Sequence, residues 1–328
     1  MDFSPSELQR ELAEGTRALL ADRCPPAVVR AAWEKPGENG PLWVALTELG
    51  LPGALVSEAA GGLGLTVSDL LPALVETGRA AVPAPIVETA LVAVPLLVAA
   101  GRADLVDGVV TGEVVATAAP AGALVPWTAA ASHALVLDRA EARLVEQAEL
   151  DGEPVAAVDG SRPLTRIAPG AGTPLAVDAA QVGLARARAA LGAAAQLVGL
   201  GERQLAITVE YVSTRRQFGV PVGSFQAVKH HLADALLGIR FAEPPVRAAG
   251  LALDEGADPT RPVALAKALA SDAADQVSRT AIQCHGAIGY TDEYDLQLYA
   301  KRTWALAAAW GTAGEHRAAY GDALGLGR

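Results

Sequence analysis

Aromatic side chains make up only 4% of the 328 residues, and the chain holds two cysteines and one methionine. So few rings argue against an aromatic-rich β-sandwich core. A composition just over half hydrophobic and led by alanine suits helices in close contact instead. Cys24 and Cys284 stand far apart and in no metal-type spacing, which excludes a disulfide framework and fits a reducing compartment. Positive charge is also short, with 26 Lys and Arg against 37 Asp and Glu and a net charge of −11. That balance argues against a nucleic-acid surface, and any anionic ligand must be held by a few placed arginines and backbone amides. Long apolar runs are missing as well. Met1 to Leu20 is polar and charged with no secretory pattern, and the most apolar window, Ile86 to Ala100, is short and contains Glu88 and Pro95. The expectation is a cytoplasmic protein with no membrane association and no metal site.

At ~100–200 residues per domain, the length allows two or three domains. Residues 1–110 read as helical: Leu8, Leu12 and Leu19-Leu20 recur near helical spacing, and a second helix carries Leu42, Trp43, Leu46 and Leu49 before Gly50. Residues 111–178 change character. Short apolar runs such as Ala134 to Leu137 and Pro154 to Val158 alternate with Gly, Pro and Asp, the signature of short strands joined by turns. Residues 179–328 read as long helices, with Leu191, Ala195, Val198, Leu205 and Val209 on one stripe. Pro244-Pro245 is expected to interrupt the second of these helices, with a third from Ala264 to about Gln283 and a fourth from about Asp295 to Ala309. The fold class is therefore mainly α with a central β-domain, closing in an antiparallel bundle.

Two segments carry chemical information. Tyr211 to Asp234 joins a helix end bearing Arg215 and Arg216 to a tight loop, then to a helix whose first turn presents Gln226. The planar fork of arginine suits a pyrophosphate, Gln217 and Gln226 can read a polar edge, and Phe218 offers an apolar face. Free N–H groups at the second helix's start favour an anion. An isolated Arg-Arg pair would more simply be a solvated helix end complementing the helix dipole. The second segment, Ala281 to Tyr294, ends a helix in a Gly286-containing turn, with Gln283 placed to donate and His285 read as structural.

Together these strings resemble the paired signatures of the acyl-CoA dehydrogenase family: an Arg-x-Phe-Gly loop running into a Phe-Gln helix, and a Gln-x-x-Gly turn followed by Glu-Tyr. Leu42-Trp43, Glu48 to Leu51 and Gly61-Gly62-Leu63-Gly64 are similar to its helical N-terminal domain. The resemblance implies a helical domain, a β-domain and a four-helix bundle, with FAD at subunit contacts and α,β-dehydrogenation of an acyl-CoA thioester. It also implies that Arg215, Gln217, Phe218, Gln226, Gln283 and Gly286 reach the ADP part of a neighbouring subunit's FAD.

The family pattern fails where it concerns the chain's own chemistry. In many members the base is a glutamate just before Gly-Thr, sixteen residues beyond the tyrosine of Glu-Tyr; here that position is Trp310, followed by Gly311-Thr312. Other members carry the base at a position that here is Ala189 or Ala190. Neither tryptophan nor alanine abstracts a proton. Glu202 and Glu315 are possible substitutes, weighed against a structural ion pair with an arginine such as Arg203 and an exposed glutamate. In the β-region, Ala116 to Trp127 offers few side-chain partners for a flavin ring. The resemblance is thus to the base-lacking subunit of heteromeric enzymes of actinobacterial steroid breakdown. It implies no catalytic residue of this chain's own, FAD shared across an interface, a catalytic partner subunit in a tetramer, an acyl-CoA substrate, and an electron-transferring flavoprotein or similar acceptor. The alternatives are a self-sufficient homotetramer with an unusual base, and a flavin-free scaffold on the same fold.

Overall fold

The structure is a computed structural model that describes residues 4–38 and 40–327. The chain opens with helices α1 (Glu7–Arg23), α2 (Pro26–Glu34), α3 (Gly40–Glu48) and α4 (Val67–Arg79). Ser6 and Thr66 start α1 and α4 through reciprocal capping boxes with Gln9 and Asp69, which satisfies amide groups that a helix leaves unpaired. Gly50, at φ +79°, follows α3 in the left-handed conformation that ends helices. The apolar window around residue 90 is a buried π-helical turn, Glu88–Ala93, running into α5 (Val94–Ala99) and followed by α6 (Ala103–Thr111). Beyond Glu88 and Thr89 it is apolar, and it lies in the core between the helices and the sheet.

The β-region holds two small sheets. β1 (Ala116–Pro120) pairs in parallel with β3 (His133–Leu137), β3 pairs antiparallel with β4 (Ala142–Glu146), and β4 pairs antiparallel with β7 (Thr173–Pro174). β2 (Val125–Pro126), β6 (Leu164–Arg166) and β5 (Glu153–Val155) form the second sheet, and the short α7 (Gln147–Leu150) lies between β4 and β5. Leu175 to Val177 is irregular backbone leading to the next helix.

A long α8 (Ala179–Thr214) then packs against α9 (Gln226–Asp254), α10 (Thr260–His285) and α11 (Leu296–Ala308), with α12 (Ala313–Ala323) against α10. The hairpin β8 (Arg216–Gln217) and β9 (Val220–Pro221) joins α8 to α9. Two glycines permit the crossing of α4 and α8. A Cβ on Gly199 would overlap the Val75 carbonyl, and one on Gly78 the Gln196 carbonyl.

One expectation fails here: Pro244-Pro245 does not interrupt α9, which runs through both residues. Pro244 is exposed and Pro245 half-buried, so the carbonyls of Arg240 and Phe241 that lose their helical donors face the wet side of the helix. Packing of the opposite face carries the helix across the defect. The third helix starts one turn before the expected Ala264, because Pro262 fits a first turn that needs no N–H.

Candidate functional site

A cavity of about 1290 Å³ lies between the β-region and the bundle. Its β-side wall is made by Ala118, Ala119, Pro120, Leu124 and Pro126, the segment read as poor in flavin partners. The Thr117 hydroxyl in that stretch is buried and donates to Pro126 O at 2.9 Å, away from any ligand. A buried arginine, Arg162, interrupts this apolar wall and is paired with Glu88 at 3.2 Å. Alanines of α8 and α11 line the opposite side.

Both positions at which a base was sought border this cavity. Ala190 lines it from α8, and Trp310 from the turn after α11. Trp310 has φ +58° and Gly311 φ +101°, so two successive residues are left-handed. For a bulky side chain that is a strained conformation, held only where its surroundings fix it. The Trp310 carbonyl accepts a hydrogen bond from His316 Nε2 at 3.0 Å. Thr312 and Glu315 then form a capping box that starts α12.

Neither substitute carboxylate is set up as a base. Glu202 does not line the cavity and is held by Arg79 and by Arg240 at 3.1 Å. The expected Arg203 is not its partner; that guanidinium lies over the Tyr299 ring at 5.5 Å. Glu315 does line the cavity, but accepts from the Thr312 amide at 2.7 Å and the Thr312 hydroxyl at 2.9 Å. Those bonds hold its carboxyl below the usual range, the opposite of what a base needs. His316, which sequence reasoning passed over, also lines the cavity, and burial lowers its pKa, favouring the neutral ring.

The nucleotide-type residues lie elsewhere. None of Arg215, Gln217, Phe218, Gln226, Gln283 and Gly286 lines the cavity, and all are exposed. Arg216 is used inside the hairpin, donating to Gly219 O at 2.8 Å, whereas no side-chain hydrogen bond of Arg215 occurs among the described residues. Phe218 is 94% exposed at φ +51°, its ring edge-on to Phe225 at 6.4 Å between centroids. Gln226 opens α9 behind Phe225, which gives no side-chain cap, so the first-turn amides are free for an anion. The ends of α8 and α10 meet where Tyr211 stacks on His285 at 4.3 Å, four residues before Arg215 and two after Gln283. His285 is buried and donates from Nδ1 to Ala281 O at 2.7 Å; burial lowers its pKa, so it serves as a neutral packing group, not a charged dipole partner. Gly286 follows at φ +65° and ψ −140°, a conformation that favours glycine.

Residues 6–111 match the family model of the acyl-CoA dehydrogenase N-terminal domain, and residues 177–324 that of the C-terminal domain. The acyl-CoA dehydrogenase IpdE2 of Mycobacterium tuberculosis is 34% identical over 321 residues, 92% of each chain. The chain belongs to the acyl-CoA dehydrogenase family. The acyl-CoA dehydrogenase IpdE2 of Mycolicibacterium smegmatis is 35% identical over 300 residues, covering 90% of this chain and 92% of that one. Among solved structures, the Tcur3481–Tcur3483 steroid ACAD aligns with a TM-score of 0.88 at 26% identity, over 97% of this chain and 98% of the other. The ChsE4–ChsE5 complex of Mycobacterium tuberculosis shares the fold at a TM-score of 0.87 and 22% identity, over 99% of both chains. Acyl-CoA dehydrogenases are FAD-using oxidoreductases, and the fold here is theirs. Among the described residues no helix is long and apolar enough to cross a membrane, and no His, Cys, Asp and Glu cluster could hold a metal ion.

Proposed function

We propose that this chain is the base-lacking subunit of a cytoplasmic, heteromeric acyl-CoA dehydrogenase that acts in lipid or steroid side-chain breakdown. The observation that carries the reading is Trp310, an indole in the cavity wall where many family members hold their carboxylate. Two of the similar structures carry names of two chains each, which supports a mixed assembly.

The fit to FAD differs between the two faces. The apolar wall from Ala118 to Pro126 gives an isoalloxazine ring almost no side-chain hydrogen-bonding partner. The outer surface does suit the ADP part. Arg215 would donate to the pyrophosphate, Gln217, Gln226 and Gln283 to polar edges, and Gly286 would let backbone approach, beside the uncapped start of α9. Bound FAD supplies an acceptor for the β-hydride of the acyl-CoA. The partner subunit would supply the carboxylate for the α-proton, and an electron-transferring flavoprotein or similar acceptor would receive the electrons. In this reading residues 1–110 form a helical domain, residues 111–178 and 179–328 line the cleft, and residues 179–328 also carry the surface offered to the partner's cofactor. The self-sufficient alternative loses support because Glu202 is held by arginines and Glu315 by its own helix cap.

The test is flavin per chain, read by absorbance, in the protein purified alone and together with a full-length family member encoded beside it. Little flavin alone and about one per two chains in a co-purified complex is the expected result. One flavin per chain in the protein alone would overturn the proposal.

A further inference from the structure

Among the described residues Lys267 is the largest side chain buried completely, and the flavin-binding reading makes no use of it. Its ammonium donates to Ser271 Oγ at 3.2 Å, Ala307 O at 3.0 Å and Gly311 O at 2.9 Å. All three N–H groups are thereby used. Ala307 O belongs to the last turn of α11, where helix carbonyls lack partners and a cation is favoured. Gly311 O belongs to the turn that carries Trp310. The preceding carbonyl, Trp310 O, is taken by His316. Two side chains from two helices therefore pin successive carbonyls of one strained turn, on the wall of the cavity.

We propose that Lys267 is a positioning residue, which holds the Trp310 turn against the end of α11 and so fixes the indole in the cavity wall. A lysine that only filled space would be a costly choice, since methionine of similar length needs no buried charge. The structure keeps the ammonium where three acceptors converge. Burial pulls its pKa to about 8, so the clamp is charged at neutral pH. The groups that bear on it electrostatically are Glu315, which favours its charge, and His316, whose protonation its charge opposes; both stand on α12. The other charged side chains around the turn are engaged elsewhere. Arg317 of α12 pairs with Asp272 of α10, and on α11 Lys301 bonds Gln297 and Arg302 bonds Asp159. These contacts all lie within one chain, so the inference stands or falls apart from the heteromeric reading.

The test uses the whole chain and no ligand. Trp310 emission is obtained as the difference between the protein and Trp310→Phe. The titration of His316 is followed as acid quenching of that emission, identified by its loss in His316→Gln. In the unaltered protein the quenching midpoint is expected below the ordinary histidine value of about 6.5. In Lys267→Met the emission should shift to the red as the indole leaves its apolar wall, and the midpoint should rise. Lys267→Gln, polar and uncharged, gives the same test if methionine is not tolerated. Unchanged emission overturns the proposal, whether the midpoint moves or stays, because a shifted midpoint alone would show charge coupling without positioning.

Discussion

Arg302 of α11 and Asp159, from the loop between β5 and β6, form an ion pair that is sealed from solvent on both sides. The same guanidinium donates to Ser161 Oγ and to Val82 O, each at 2.8 Å, and lies 5.3 Å from the centre of the Trp127 ring. One side chain thus ties the β-region, the segment after α4 and the bundle together. Arg302→Met should destabilise the protein by about 3–5 kcal/mol, because Asp159 is left charged and buried without its partner. Urea unfolding of the two proteins measures the difference.

Acid should loosen the protein before its carboxylates titrate. Burial lowers the pKa of His285 and of His316, so between their folded values and the ordinary ~6.5 the unfolded chain binds more protons. Their contribution is complete above that ordinary value and is lost as pH falls through the window. His285→Phe keeps a ring against Tyr211 and removes one titrating group. Its stability, followed by denaturant melts from pH 7 downward, should fall less steeply than that of the unaltered protein.

The crossing of α4 and α8 leaves no room for a methyl group. Gly199→Ala should cost about 1–3 kcal/mol or more despite the better helix propensity of alanine, because backbone and not a mobile side chain stands in the way. An unchanged midpoint in thermal unfolding would show that the helices separate more easily than their packing suggests.

Arg215→Ala removes a charge-assisted donor whose loss is worth ~1.5–3 kcal/mol. Flavin retention in the co-purified complex should weaken by roughly 10- to 150-fold, with the unfolding midpoint of the isolated chain unchanged. Equal flavin occupancy on gel filtration at low protein concentration would remove Arg215 from the nucleotide surface.

Trp310→Glu restores one carboxylate to a cleft whose β-side wall remains apolar. No acyl-CoA dehydrogenation is expected from the isolated variant in a dye-reduction assay, because proton abstraction alone supplies no hydride acceptor. Turnover by that protein would show that backbone groups of the Ala118 to Pro126 wall suffice to seat a flavin.

Element type was legible wherever apolar spacing ran long, as in α8 and α10. The uninterrupted course of α9 was not, since proline chemistry predicts a break and only the exposure of Pro244 explains its absence. α12 also escaped, because it has no buried residue and therefore no apolar stripe to read. Its Thr312 and Glu315 capping box was the available signal. The tryptophan at the position where the family resemblance places a base could be counted from Tyr294, yet the partners of Glu202 are set by α4 and α9, far away in sequence. Lys267 gave a faint sign, a lysine among Ala264, Ala268 and Ser271, and two of its three acceptors appear only when α10 meets α11 and the following turn.

The cavity and the surface formed by Arg215, Gln217, Phe218, Gln226, Gln283 and Gly286 draw on separate residues. A substitution that spoils one leaves the chemistry of the other intact. After a gene duplication, two copies of such a chain can therefore drift in opposite directions, one keeping its interior and the other its exterior. The pair stays competent as long as they remain together, and neither can afterwards be inherited alone.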